Sequence, residues 1–221
     1  MADNYLEKRY DAVFGQQRPK VRRVGRGVDE LLKRNRSTRG YNPNFVVSRE
    51  MLLDIVSVAN KLPSARNQQV LRYRLVTRRD EVALVLQHVR MGAALPELHL
   101  PLPGTEPNAF VVVCSTVKEN AMVDIDLGIA AQSLLLRAVE MGLNGLIIAA
   151  FQREALREAL QLPCEPMLVI ALGKSAEHIE TVPIAADESH NYYRRDGIHY
   201  VPKVQLSDLL IDDTTKNNSK H

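Results

Sequence analysis

The chain has 221 residues, 45% of them hydrophobic, which suits one globular domain with a sizeable core. Its formal net charge of +3 is too small an excess to indicate nucleic-acid binding. Two cysteines, Cys114 and Cys164, cannot form a disulfide framework, and no apolar run is as long as a membrane span. Since the first ten residues are polar and lack the apolar segment of a signal peptide, we expect a soluble, cytoplasmic protein.

Hydrophobic periodicity and turn signals predict helices that alternate with strands through the middle of the chain. In chain order the predictions are a helix over 4–15, a helix over 28–34, a helix from an N-cap at Ser48 to about Asn60, a strand over 71–77, a helix over 79–91, a strand over 109–115, a helix over 124–141, a strand over 146–149, a helix over 153–160, a strand over 167–172 and an amphipathic turn over 206–211. The proline-rich residues 92–108 are typical of a long irregular loop, a kind of segment that often forms a lid or a binding surface.

Two of these segments are apolar on nearly every side. The strand over 109–115 is expected to be buried on both faces, and the helix over 124–141 to lie in a core or at a subunit interface. Asp124 and Asp126, at the start of that helix, are expected to interact with the positive end of the helix dipole.

These elements predict an α+β fold, arranged as a three-layer sandwich with extended arms exchanged in a dimer. We divide the chain into an N-terminal helix and basic arm (1–27), a core (28–175), a C-terminal arm (176–211) and a tail of disordered composition (212–221). Extended termini that do not pack on their own chain usually pack on another, so the C-terminal arm is expected to wrap a partner subunit.

The motifs of common catalytic sites, including HExxH, CxxC, GxSxG and the P-loop, do not occur. The six histidines show no metal-ligand spacing, so we interpret them as surface or internally satisfied residues and predict no metal site. Anion-holding and amide-rich segments remain: Arg36-Ser37-x-Arg39, Pro63-Ser64-x-x-Asn67-x-Gln69, a glycine-containing turn into a strand over 145–150, and Lys203 after a proline. Without acid–base residues beside them, these segments favour a bound cofactor that carries the chemistry itself, and a flavin mononucleotide fits them.

On these residues the chain resembles the nitroreductase family of FMN-dependent oxidoreductases, from about residue 28 to residue 175. Four blocks carry the resemblance: Arg36-Ser37-Thr38-Arg39-Gly40-Tyr41, Pro63-Ser64-Ala65-Arg66-Asn67-Gln68-Gln69, the helix over 126–141 with Gly142-Leu143-Asn144-Gly145, and Ala171-Leu172-Gly173-Lys174. The resemblance implies a nitroreductase-like α-β-α sandwich with a mixed or antiparallel sheet. It also implies a homodimer with two FMN sites at its interface, and ping-pong transfer of electrons from NAD(P)H to a small-molecule acceptor such as a nitroaromatic or a quinone.

The resemblance further implies roles for particular residues. Arg36, Ser37, Arg39 and Lys203 would hold the FMN phosphate. Pro63, Ser64, Asn67 and Gln69 would reach the flavin from the partner subunit. The backbone of Ile148, Ala149 and Ala150 would lie near flavin N5 and O4, and no side chain is assigned as catalytic.

Three positions depart from the family pattern, one of which is Ala149-Ala150, where some members have an acidic residue and a glycine. Val70-Leu71 stands where many members have Pro-Trp, and Val204 follows Lys203 where a second basic residue often lies, which removes one expected phosphate contact. Other hypotheses remain open: a flavin enzyme of another reaction, such as dehalogenation or flavin destruction, or a nucleotide- or nucleic-acid-binding module that uses the basic arm over 16–27. The sequence does not choose between NADH and NADPH.

Overall fold

The computed structural model describes residues 27–92 and 100–211. The predictions for the N-terminal helix, almost all of the basic arm, residues 93–99 and the tail over 212–221 fall outside the described residues.

The described chain contains six α-helices and seven strands. The helices are α1 (Val28–Arg34), α2 (Arg49–Val56), α3 (Arg79–His88), α4 (Ala121–Glu140), α5 (Arg153–Ala159) and α6 (Leu206–Leu209), with short 3₁₀ turns at Ser57–Lys61 and Ala65–Asn67. The strands are β1 (Leu71–Val76), β2 (Ala109–Ser115), β3 (Asn144–Ile148), β4 (Glu165–Gly173), β5 (His178–Ile184), β6 (Tyr193–Arg195) and β7 (Ile198–Val204). Every helix and strand predicted within the described residues is present, with shifts of a few residues at the ends. The predicted helix from Ser48 changes to a 3₁₀ turn at Ser57, and β3 begins two residues early.

The first four strands form an antiparallel sheet in the order β1-β2-β4-β3, so the two most apolar strands occupy its centre. Side chains alternate across a strand, and β2 therefore contributes to two separate cores. Val111 and Val113 pack with α2 and α4 on one face, whereas Phe110 and Val112 pack with α3 and α5 on the other. Two cores on opposite faces of one sheet make the predicted α-β-α sandwich.

The long helix α4 begins three residues earlier than predicted, because Asn120 caps it. The Asn120 side-chain oxygen accepts hydrogen bonds from the amides of Met122 and Val123, at 3.0 and 3.2 Å. Asp124 lies in the first turn, where a negative charge suits the helix dipole. Asp126 does not have the role predicted for it: it is buried, and a side-chain oxygen accepts a hydrogen bond from the Ala65 amide.

The C-terminal arm has more regular structure than its sequence pattern indicated. β5, β7 and β6 form a separate three-stranded sheet in that order, with β5 parallel and β6 antiparallel to β7. Asp196 and Gly197 join β6 to β7, with φ of +52° and +78°, as a two-residue hairpin turn with positive φ at both positions requires. This Asp-Gly pair between aromatic and β-branched residues is a recognised hairpin signal that predicts β6 and β7. Wrapping of this segment around a partner remains a prediction.

No helix among the described residues is both long enough and apolar enough to cross a membrane.

Candidate functional site

The segment after α1 is extended and is fixed in place by its one buried residue. Thr38 is fully buried, and its amide donates a hydrogen bond of 3.1 Å to the carbonyl of Gly145 at the start of β3. Because neighbouring side chains of an extended chain point in opposite directions, Ser37 and Arg39 face away from Thr38. A side chain at Gly145 would lie 2.5 Å from the Ala171 carbonyl oxygen, so close packing of β3 on β4 requires glycine there.

A buried tyrosine connects this segment to the end of β4. The Tyr41 hydroxyl donates a 2.8 Å hydrogen bond to the Thr38 carbonyl, and burial raises the pKa of the phenol well above its usual value. Gly173 leaves room for the ring, since a Cβ there would be 2.6 Å from a ring carbon of Tyr41. The first and last of the four sequence blocks are therefore packed against each other.

The basic residues predicted to hold a phosphate lie around one cavity of about 340 Å³. Arg36, Ser37 and Arg39 line it, together with Leu32 of α1 and Asn35, which follows that helix. Gln132 of α4 and Tyr192 complete the lining from other elements.

One face of β7 also lines the cavity. His199, Val201 and Lys203 are two residues apart, so the period of the strand turns all three toward the same side. Lys203 therefore lines the same cavity as Arg36 and Arg39, although more than 160 residues separate it from them in the chain.

Several polar atoms around this cavity are buried without a hydrogen-bond partner. They are Nε of Arg36, Nε of Arg39 and Nδ1 of His199. Burial lowers the pKa of Arg36 from its ordinary value, although an arginine remains charged. Among the described residues that line the cavity there are three cations and no carboxylate. Buried hydrogen-bond donors in proteins normally have an acceptor. Unpaired donors beside positive charges that no carboxylate neutralises therefore suit the binding of an anion such as a phosphate.

Existing contacts hold the arginine side chains close to the backbone. The Arg36 guanidinium donates to the Leu32 carbonyl of α1 at 2.5 Å, and Arg39 donates to the Ser37 carbonyl at 3.4 Å. The Arg39 guanidinium also lies over the Tyr192 ring, 4.9 Å from its centre, in a cation–π contact.

Glu177 ties the C-terminal sheet to the arginine-containing segment from just outside the cavity. One carboxylate oxygen accepts a 2.6 Å hydrogen bond from the Arg39 amide, and the other pairs with the Arg194 guanidinium. Glu177 itself does not line the cavity, and its carboxylate is bonded to the Arg39 backbone and to Arg194.

The Pro63–Gln69 loop lies elsewhere on the same chain and has an unusual backbone. Arg66, Asn67 and Gln69 have φ of +51°, +55° and +49°, a conformation that asparagine tolerates but that is strained for arginine and glutamine. Ser64 closes the loop by accepting the Gln69 amide at 3.1 Å, and Asp126 accepts the Ala65 amide at 2.9 Å. These bonds hold the strained loop in one shape.

Pro63, Ser64 and Gln69 line a second cavity, of about 520 Å³, between the loop, α2, β1 and α4. Its walls are mostly apolar, and Asp126 and Tyr73 are among its polar lining residues. Asn67 is exposed, and its side-chain oxygen accepts from the Gln69 side chain at 3.0 Å. Within one chain, the loop and the basic cavity are therefore separate.

The third predicted group follows β3. Ile148 is buried in the core, whereas Ala149 and Ala150 are exposed and line neither cavity. Gly145, which contacts Thr38, lies near the start of β3, and Ala149 comes directly after its end, about 13 Å away at the usual rise per residue. One strand thus connects the arginine-containing segment to the backbone predicted near the flavin ring.

Two of the cavity residues that the sequence did not indicate are the aromatic pair His199 and Tyr192. His199 was interpreted as a surface or satisfied residue, but it is buried with an unpaired Nδ1, and Tyr192 was not assigned at all. The Asp196-Gly197 hairpin signal could have placed both, because it fixes the register of β7. The described residues contain no group of three or more His, Cys, Asp or Glu arranged to hold a metal.

Comparison with known proteins gives a consistent result. The profile of the Nitroreductase family matches residues 32–174. A nitroreductase family protein of Clostridium difficile 630 superposes with a TM-score of 0.56 at 22% identity, covering 69% of this chain and 86% of that one. A protein of Exiguobacterium sibiricum 255-15, described as a nitroreductase in complex with FMN, superposes with a TM-score of 0.56 at 18% identity, covering 70% and 91%.

A third structure, described as an NAD(P)H:FMN oxidoreductase of Staphylococcus epidermidis, superposes with a TM-score of 0.58 at 19% identity, covering 76% of this chain and 97% of that one. No curated protein sequence matches the chain. At these identities the superpositions show a shared fold.

The bond between Asp126 and the Ala65 amide gives a first testable prediction. In Asp126→Ala the amide loses its acceptor, and we expect amide hydrogen exchange across residues 64–69 to accelerate about tenfold, the equivalent of about 1.4 kcal/mol. Asp126→Asn keeps an acceptor oxygen and is the matched control, with exchange near that of the wild type. Equal protection of the loop in all three proteins would contradict this role for Asp126.

Proposed function

The chain belongs to the nitroreductase family, and from this premise we propose that it is an FMN-dependent oxidoreductase that uses NAD(P)H to reduce a nitroaromatic, a quinone or a similar acceptor. The observation that carries the proposal is the basic cavity with its buried, unpaired donors. Two proteins of the same fold support FMN as the cofactor and NAD(P)H as the electron donor. One is described in complex with FMN, and the other is described as an NAD(P)H:FMN oxidoreductase.

Arg36, Ser37, Arg39 and Lys203 hold the phosphate of FMN in this proposal. A phosphate at pH 7 carries about −1.5 to −2 charges, which the three cations balance, and its oxygens accept from the guanidinium and hydroxyl donors. Because the cations come from the segment after α1 and from β7, phosphate binding also links the C-terminal sheet to the core.

The flavin ring requires a second chain. Pro63, Ser64, Asn67 and Gln69 lie away from the basic cavity of their own chain, so we assign them to the ring of the site in the partner subunit. An apolar part of α4 is available for dimer contact, since Met122 and Ile125 are 48% and 52% exposed and Gly128 faces open space. Exposed apolar residues on an otherwise buried helix are typical of an interface between subunits.

Ala149 and Ala150 contribute backbone rather than side-chain chemistry. Their position after β3 leaves the polypeptide exposed, and we assign their amides to the N5 and O4 edge of the ring. When bound, FMN supplies the redox chemistry, accepting a hydride from NAD(P)H and being reoxidised by the second substrate in ping-pong order. The protein's own contribution is to bind and orient the ring, and no side chain is required as a general acid because water can supply protons.

Flavin content and reduction test the proposal directly. We expect the purified homodimer to be yellow, or to become so after incubation with FMN, and the visible absorbance to bleach when NADH or NADPH is added without oxygen. Addition of a quinone or a nitroaromatic should then restore the absorbance. A protein that cannot be loaded with FMN, or that holds FMN unreduced by either nucleotide, would exclude this activity.

Arg36→Ala should weaken FMN binding about ten- to hundredfold, because one charge-assisted hydrogen bond to phosphate is worth about 1.5–3 kcal/mol. Fluorescence titration with FMN measures the change, and titration with riboflavin, which lacks the phosphate, should show none between variant and wild type.

Arg34→Ala is the matched control. Arg34 is a nearby arginine that does not line the basic cavity and pairs with Glu30 at 3.7 Å. Its substitution should leave both affinities unchanged, and an equal loss of FMN affinity in the two variants would show a general effect of surface charge instead of a phosphate site.

A further inference from the structure

His199 occupies an unusual position for a histidine. Only 3% of its surface is exposed, yet it lines the basic cavity between Val201 and Tyr192, and its ring is 5.1 Å from the Tyr192 ring. Its Nδ1 is buried without a hydrogen-bond partner. Burying a polar ring atom without a partner costs free energy, which a ligand that bonds to the histidine would recover.

Charged groups lie near His199 on several of the elements around it, whereas its register partner on β5, Ile179, is apolar. Arg36 and Arg39 line the same cavity from the segment after α1, and Lys203 lies on its own strand. Arg194 is its register partner on β6, and Glu177 pairs with that arginine. Burial lowers the pKa of His199, Glu177 raises it, and Arg194 and Arg39 lower it further, with a net shift below the ordinary value. Without an anion in the cavity the imidazole is therefore neutral at pH 7.

We propose that His199 is an additional ligand of the FMN phosphate and that it takes up one proton from solvent when the phosphate binds. This inference rests on the proposed function, and it adds a binding residue to the site. The phosphate introduces about two negative charges into a cavity lined by cations, and a nearby negative charge favours the protonated imidazole. Protonation gives both ring nitrogens a hydrogen to donate.

The sign of the pH dependence follows from the two states. The pKa of His199 is below its ordinary value in the empty site and above that value when phosphate is bound. FMN binding therefore takes up a proton at any pH between these two pKa values. FMN binding then weakens as the pH rises through the pKa of the bound form, by up to about tenfold per pH unit. Between pH 7 and 8.5 the phosphate of free FMN is already ionised.

Isothermal titration calorimetry of the homodimer with FMN measures the proton directly. Titrations at pH 7.5 in two buffers of different ionisation enthalpy give the number of protons bound with each FMN, and titrations from pH 7 to 8.5 give the slope of the affinity. We expect net uptake of up to one proton for FMN and none for riboflavin, which binds without a phosphate.

Two variants separate a phosphate ligand from a purely structural residue. His199→Asn keeps a hydrogen-bond donor but cannot become charged, so it should bind FMN with no proton uptake and a flat pH profile. His199→Phe keeps a ring and loses the donor, so it should bind FMN more weakly than His199→Asn at every pH while its affinity for riboflavin stays that of the wild type. Circular dichroism confirms that both variants are folded.

The outcomes distinguish this inference from the proposed function. If wild-type protein binds FMN without proton uptake, or if His199→Asn retains the pH dependence, His199 does not titrate with the phosphate and the inference is overturned while FMN binding stands. If neither FMN nor riboflavin binds the wild-type homodimer, the proposed function itself fails, and the inference fails with it.

Discussion

The candidate site depends on one short extended contact, in which Thr38 is buried against the start of β3. The hydrogen bond from its amide to Gly145 and the bond from the Tyr41 hydroxyl to its carbonyl fix the backbone on both sides of the residue. Because the chain is extended there, the flanking Ser37 and Arg39 must face outward. The core thus positions the Arg36–Arg39 segment, and the burial of Thr38 determines which of its side chains face outward.

The C-terminal sheet contributes residues to the cavity that the core alone does not provide. β7 brings His199 and Lys203 to the cavity, and Glu177 links this sheet to the Arg39 backbone. The resulting cavity collects positive charge and leaves several donors unpaired, which has a free-energy cost in an empty protein and favours binding of an anion. The same arrangement makes the imidazole of His199 sensitive to what occupies the cavity.

Periodicity predicted most of the fold because the core strands and helices have clear apolar faces. β2, buried on both sides, and α4, apolar on most faces, stand out from their residues alone, and Gly142 with φ of +82° ends α4 where predicted. The start of α4 was misplaced because an Asn cap three residues upstream sets it. Asp126 was misassigned because its partner, the Ala65 amide, is 61 residues away in sequence. His199 was missed for a similar reason, since burial and charge around a strand residue depend on tertiary contacts.

The segments predicted to contact one flavin lie in separate places on a single chain, and we therefore propose that each FMN site is built from two chains. Mixed dimers of Arg36→Ala and Asn67→Asp chains test this claim most directly, since aspartate tolerates the positive φ of Asn67 and replaces a donor by a negative charge. Each variant homodimer should bind FMN weakly at both sites, whereas a mixed dimer has one site in which both contributing segments are wild type. The account predicts that titration of the purified mixed dimer recovers about one tight FMN per two chains. Recovery of no tight site in the mixed dimer would contradict it.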